Sequence, residues 1–155
     1  MITIRSGGQT GVDRAALDFA IGQGRPYAGW CPAGGWAEDF PHPPGLIAAY
    51  PRLLATPSAD PRQRTEWNVR DSAATLILTR RPVASEGTSL TARSACALGR
   101  PVLVVDLDGP VELRPWLARR GADFVLNIAG PRESEAPGIY AEALRFLDRW
   151  LAETC

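Results

Sequence analysis

The run Ser6-Gly7-Gly8-Gln9-Thr10-Gly11 sets glycines among polar side chains, between a β-branched segment and a helical pattern. Glycine lets the backbone take positive φ and lets a ligand approach with no Cβ in the way. The free N–H groups that open the following helix favour an anion. The spacing of Gly7, Gly8 and Gly11 fails the dinucleotide pattern G-x-G-x-x-G, and no lysine follows as in a Walker loop. With Ser6, Gln9 and Thr10 interleaved, the run reads as the floor of a phosphate-type site. Tight strand–helix packing is the other use glycines have in such a place. Asp13, in the first turn of the helix, favours the helix dipole and is a candidate for positioning a ligand.

Two further loops carry similar chemistry. In residues 85–91, Gly87 permits close approach, Thr88 reads as the cap of a helix, and Thr91 lies one turn later on the same side. An ordinary capped helix explains these residues equally well. In Gly130-Pro131-Arg132-Glu133-Ser134, Arg132 offers a fork of donors for a phosphate or carboxylate, although a solvated arginine is the commoner case. Other candidates carry less. His42 sits between Pro41 and Pro43 without a serine or cysteine at a recognisable spacing. Cys31 and Cys96 read as small buried hydrophobes. Trp30, Trp67, Trp116 and Trp150 read as core or interface anchors, whereas Trp36, in a glycine-rich loop, is the tryptophan to consider for covering a flat ring. No catalytic residues and no metal ligands are assigned. The chemistry is that of binding more than turnover.

These loops need elements to hold them. Residues 1–5 predict a first strand, and Val12, Ala15, Ala16, Phe19 and Ala20 recur at helical spacing until Gly22-Gln23-Gly24 and Pro26 stop the helix. A second strand spans 27–31. The glycine- and proline-rich stretch 32–45 is too long for an ordinary turn, which makes it functional, an oligomer contact or poorly ordered. Residues 46–54 are ambiguous, with 50–54 as a short edge strand. Asp60-Pro61 opens a helix to Arg70. The continuous apolar run 73–79 has the pattern of a central parallel strand. A helix from Thr88 to Leu98, a buried strand over 101–106, a helix around 111–120, a strand over 124–128 and a helix over 138–152 complete the chain. Regular alternation of strands and helices predicts an α/β class chain: a single-domain, three-layer, Rossmann-like fold with a mostly parallel central sheet.

Bulk properties set limits on partners. At 155 residues and 45% hydrophobic, one domain with one substantial core is expected. Seventeen basic and seventeen acidic residues exert no global pull on nucleic acid or acidic membranes. Three scattered cysteines, Cys31, Cys96 and Cys155, argue for reduced thiols in a cytoplasmic, soluble protein. No apolar run reaches transmembrane length, and the N-terminus lacks the layout of a signal peptide.

In order along the chain, Ser6 to Leu17, Gly29-Trp30-Cys31-Pro32 with Ala37-Glu38-Asp39, Arg64-Thr65 with Asn68-Val69, Asp71-Ser72, Gly87-Thr88 with Thr91, and Gly130 to Ser134 ahead of Pro137-Gly138-Ile139-Tyr140 resemble the molybdenum cofactor carrier proteins within the lysine-decarboxylase-like Rossmann group. These blocks span almost the whole chain. The resemblance implies a Rossmann-type fold, self-assembly into a homo-oligomer, and binding of the molybdenum cofactor (molybdopterin), a pterin that carries a phosphate and a dithiolene-held metal. Molybdoenzymes would be its recipients. Two departures stand out. Glu86 replaces the first of two family-like glycines, and a carboxylate there opposes phosphate unless it points away or pairs with Arg80 or Arg81. Phosphoribohydrolase relatives carry a catalytic glutamate where Thr91 stands, and without it that mechanism lacks its general acid/base. A non-catalytic carrier of a small phosphate-bearing ligand is therefore the first reading. A nucleoside monophosphate phosphoribohydrolase and a sensor of a nucleotide-derived ligand are the alternatives.

Overall fold

Ile4 in β1 (Thr3–Arg5) points into an apolar layer while Thr3 and Arg5 face the other side of the sheet. The same period of two puts Leu76 and Leu78 of β4 (Ala74–Thr79), and Leu126 and Ile128 of β6 (Val125–Ala129), into that layer. The structure, a computed structural model, describes residues 1–81 and 84–152. Cys155 and part of the loop leading into the 85–91 segment therefore lie outside the described residues.

With β2 (Tyr27–Cys31), β3 (Leu53–Ala55) and β5 (Val102–Asp106), the strands form one six-stranded parallel sheet in the order β3-β2-β1-β6-β4-β5. Six helices flank it: α1 (Val12–Gly22), α2 (Leu46–Ala49), α3 (Pro61–Arg70), α4 (Glu86–Ala97), α5 (Leu113–Ala118) and α6 (Ile139–Trp150). Phe19, Ala143 and Leu147 of α1 and α6, with Leu113 and Leu117 of α5, bury their apolar faces on the Ile4 side. Helices α3 and α4 pack together against β2, β4 and β5. This is an α/β Rossmann-like fold. Counted from β6 as the first strand, the order becomes 4-3-2-1-5-6 with a single reversal, between β6 and β4. The starts of β1 and β6 lie side by side, with the Met1 amine donating to Ala122 O (3.0 Å). Parallel sheets of this kind bind ligands beyond the carboxyl ends of strands at such a reversal.

Several local expectations need correction. Ser85, not Thr88, caps α4: its Oγ accepts the Thr88 N–H at 3.2 Å, and Thr88 lies inside the first turn. The strand expected to be buried at 101–106 is an edge strand, with Val105 buried on one face and Val104 50% exposed on the other. Cys96 is exposed on α4, whereas Cys31 is buried. The ambiguous stretch resolves into α2 followed by the edge strand β3.

The long 32–45 segment is tied down as a strap across the start of α1. Arg14 grips Asp39 with both terminal nitrogens (2.7 and 2.8 Å) and donates from Nε to Gly8 O (3.0 Å). Its guanidinium also lies over the rings of Phe40 and Tyr50. Glu38 accepts from Thr10 Oγ1 (2.8 Å), Ser134 Oγ (2.6 Å) and Arg132 Nη1 (3.2 Å). Burial alone would raise the Glu38 carboxyl, but these donors hold it below the usual carboxylate range. The Arg14 hydrogen bonds likewise lower Asp39. Depressed carboxyl pKa values stabilise the folded form above the unfolded value of about 4 and lose that stabilisation as pH falls through the folded values. Amides of residues 36–40 should therefore keep constant exchange protection, corrected for intrinsic rate, between about pH 5 and 8. Below about pH 4 the protection should drop before the sheet opens, by hydrogen-exchange mass spectrometry. Simultaneous loss in strap and sheet would refute an independent strap.

Candidate functional site

The carboxyl ends of β1 and β6 and the first turns of α3 and α4 surround a cavity of about 260 Å³. Its floor is an ion pair. Asp13 Oδ2 lies 2.9 Å from Arg64 Nη1, with the two side chains 8% and 13% exposed. The Gly130 N–H also donates to Asp13. Burial pushes the Asp13 carboxyl up, and Arg64 and the Gly130 N–H oppose that rise. One carboxylate thus joins the first loop, α3 and the third loop. Arg64 Nε is buried with no hydrogen-bond partner among the described residues.

The walls offer further donors. Gln9 is buried, and its Oε1 accepts the N–H groups of Thr10 (2.9 Å) and Glu38 (3.0 Å). Among the described residues, the backbone N–H groups of Gly7 and Gln9 have no protein acceptor, and Arg93 has no ion-pair partner. Glu135 faces the same space, with Oε1 accepting Ser85 Oγ (3.3 Å) and the Arg132 N–H (3.0 Å). Glu86 is largely exposed and approaches Arg62 (3.7 Å). The partners expected for it are engaged elsewhere, Arg80 with Glu142 (2.6 Å) and Arg81 with Asp106 (3.9 Å). No group of three or more His, Cys, Asp or Glu suited to a metal ion occurs among the described residues.

Of the residues singled out from sequence, Gly7, Gln9, Asp13, Gly87, Thr91 and Arg132 line the cavity. Ser6, Gly8, Thr10, Gly11 and Thr88 do not. Ser6 is buried, and its Oγ donates to Asp13 O (3.0 Å), clamping the start of α1. Thr10 is spent on Glu38 and the Glu133 N–H. Thr88 Oγ1 is buried without a partner among the described residues. Thr91 Oγ1 donates to Gly87 O (2.9 Å). Arg132 is held between Glu38 and Glu135 (3.8 Å). Trp36 is not part of the lining. Arg64 and Glu135 were not singled out. Arg64 stood in one of the resembling blocks, which was the signal available, whereas nothing local marks Glu135.

The glycines divide by what a Cβ would meet. At Gly8 (φ +74°) it would press on Leu46, Leu53 and Leu17, so this glycine serves the core. At Gly7 it would overlap the end of the Arg64 side chain, and at Gly130 the Leu78 carbonyl oxygen and Val12. At Gly87 it meets nothing within 4 Å. Gly130→Ala should therefore destabilise the fold by about 1–3 kcal/mol, because backbone must move. Gly87→Ala should be neutral or stabilise by up to about 1 kcal/mol, since helical alanine costs less entropy. Urea unfolding of both variants checks the contrast, and equal losses would overturn this division.

The chain's relatives agree with this architecture. The model of the circularly permutated YpsA SLOG family matches residues 4–151, in keeping with a strand order that becomes regular when counted from β6. No curated protein matches the chain. A crystal structure of a "putative molybdenum carrier protein" from Syntrophus aciditrophicus SB is similar at 39% identity and a TM-score of 0.80, covering 96% of this chain and 94% of that one. No helix among the described residues is long and apolar enough to cross a membrane. The chain belongs to the circularly permutated YpsA SLOG family.

Proposed function

We propose that this protein is a non-catalytic carrier that holds the molybdenum cofactor, or a similar phosphate-bearing ligand, in the cavity between the first loop, α3 and α4. The observation that carries the reading is a set of donors in one cavity lining without protein acceptors among the described residues: the Gly7 and Gln9 N–H groups and Arg93. They adjoin the N-terminus of the twelve-residue helix α4, where Gly87 leaves open space for a phosphate. The Asp13–Arg64 ion pair forms the floor beneath them. The 39% identical neighbour described as a molybdenum carrier supports the choice of ligand.

Two features favour holding over turnover. Thr91, at the position where phosphoribohydrolase relatives carry glutamate, donates its hydroxyl to Gly87 O and supplies no general acid/base. The cavity is also smaller than the roughly 300–1,000 Å³ usual for ligand pockets. Part of a cofactor-sized ligand then stays outside, where a recipient can take it. Delivery to molybdoenzymes in the cytoplasm and assembly into a homo-oligomer belong to the same proposal. The exposed Leu98 and Val104 offer apolar surface for assembly.

Cofactor released from a molybdoenzyme should co-elute with the purified protein on anaerobic gel filtration, read by fluorescence of the oxidised pterin. Gly87→Asp places a carboxylate in the open space without a clash and should weaken retention about tenfold or more, with thermal stability unchanged. Retention unaffected by Gly87→Asp, no retention by the unmodified protein, or free base released from nucleoside monophosphates would each sink the reading.

A further inference from the structure

We propose that Gln9 and Glu135 together read the edge of a ligand ring that sets a hydrogen-bond acceptor beside N–H donors, the 2-amino-4-oxopyrimidine edge shared by pterins and guanine. The inference rests on the anion-carrier reading of this cavity and adds what recognises the remainder of the ligand. Gln9 is 4% exposed, and the little surface it shows lines the cavity. Its Oε1 accepts two backbone N–H groups, from Thr10 at 2.9 Å and Glu38 at 3.0 Å. Two donors on one end of an amide identify that end as oxygen, so the other end is the NH2. That NH2 has no acceptor among the described residues, and it is not sealed from the cavity as the orphaned Arg64 Nε is. A nearly buried donor fixed this way awaits an acceptor on a ligand.

Glu135 is the complement. Ser85 Oγ and the Arg132 N–H fix its Oε1 at 3.3 and 3.0 Å, and Oε2 takes no hydrogen bond among the described residues. The side chain is 27% exposed and lines the same cavity. A carboxylate oxygen only accepts, so it selects the ring N–H and exocyclic amine of a 2-amino-4-oxopyrimidine. Gln9 Nε2 donates to the adjacent carbonyl oxygen. An adenine edge presents a bare ring nitrogen where the guanine edge presents N–H, and that lone pair repels the carboxylate. Both side chains are held by backbone or by capping contacts, so the pair is set before any ligand arrives.

Isothermal titration of the full chain with four probes tests this: guanosine monophosphate, neopterin monophosphate, adenosine monophosphate and inorganic phosphate. The guanine and pterin probes should bind at least about tenfold tighter than the adenine probe. Glu135→Gln should bring them within about threefold of it, with no weakening of inorganic phosphate. A preference for neopterin over guanosine monophosphate names the pterin as the source, and comparable affinities mean the shared edge alone is read; both support the proposal. Equal affinities of the three organic probes for the unmodified protein overturn it while leaving the anion site intact, and that result needs no variant. Equal weakening of every probe in Glu135→Gln overturns it as well, because the residue would then act only on the shape of the cavity. Binding of none of the four, inorganic phosphate included, overturns both this inference and the anion-carrier reading.

Discussion

The Asp13–Arg64 pair is the contact on which the site depends, because it ties three segments distant in sequence to one point. Asp13 opens α1, Arg64 belongs to α3, and Gly130 adds its N–H from the end of β6. Two buried charges have left water, a cost recovered only with close geometry and further hydrogen bonds. The glycines follow from that requirement. Gly7 leaves room for the guanidinium, and Gly130 lets the β6 backbone approach Val12 and Leu78. Gly7 is thus set by packing around the ion pair and Gly8 and Gly130 by close packing on the core and on β4, and Gly87 is the position in the second loop that keeps space open towards the cavity.

A second layer of polar contacts fixes the rim. Glu38 gathers Thr10, Arg132 and Ser134, and Arg14 draws Asp39 to the start of α1. Glu133 accepts the Tyr140 N–H at 3.0 Å and the Gly138 N–H, capping α6 from the third loop. Tyr50 and Tyr140 both donate to Asp18 at 2.6 Å, and burial with that bond pushes Tyr140 up to about 12. The strap, α1 and α6 are therefore coupled through side chains, and the third loop cannot shift without disturbing either the strap or α6.

The fold was legible because its signals are local. The run Ala74–Leu78 is buried throughout and mostly apolar since both faces of β4 are covered, and Asp60-Pro61 marks a helix start by its own chemistry. The β5 segment reads the same way, yet it lies at an edge, because position in a sheet is set by neighbours elsewhere in the chain. The site was legible in part for the same reason. Gly7, Gln9 and Gly87 stand in loops whose composition marks them. Glu135 reaches the cavity through a contact with Ser85 fifty residues away, and Glu38 meets Arg132 across ninety-four. Nor does composition tell which way a glycine faces, and Gly8 turns to the leucines of the core while its neighbour turns to Arg64.

The cavity lining balances its charges, with Arg62, Arg64, Arg93 and Arg132 against Asp13, Asp60, Glu86 and Glu135. A balanced wall creates little net field at long range, so it does not draw in anions indiscriminately. Selection then falls to short directional bonds. Most of the carboxylates are already committed: Asp13 to Arg64, Asp60 to the Arg62 N–H, and Glu86 to the Arg62 guanidinium at the rim. Among the described residues, Arg93 and the backbone donors at Gly7 and Gln9 have no partner. The departure at Glu86 is consistent with that balance, because its carboxylate is 86% exposed and lies beside Arg62 at the rim. A negative charge there is screened by solvent and by its partner, whereas the same charge at Gly87 would stand in the space where the proposed phosphate sits.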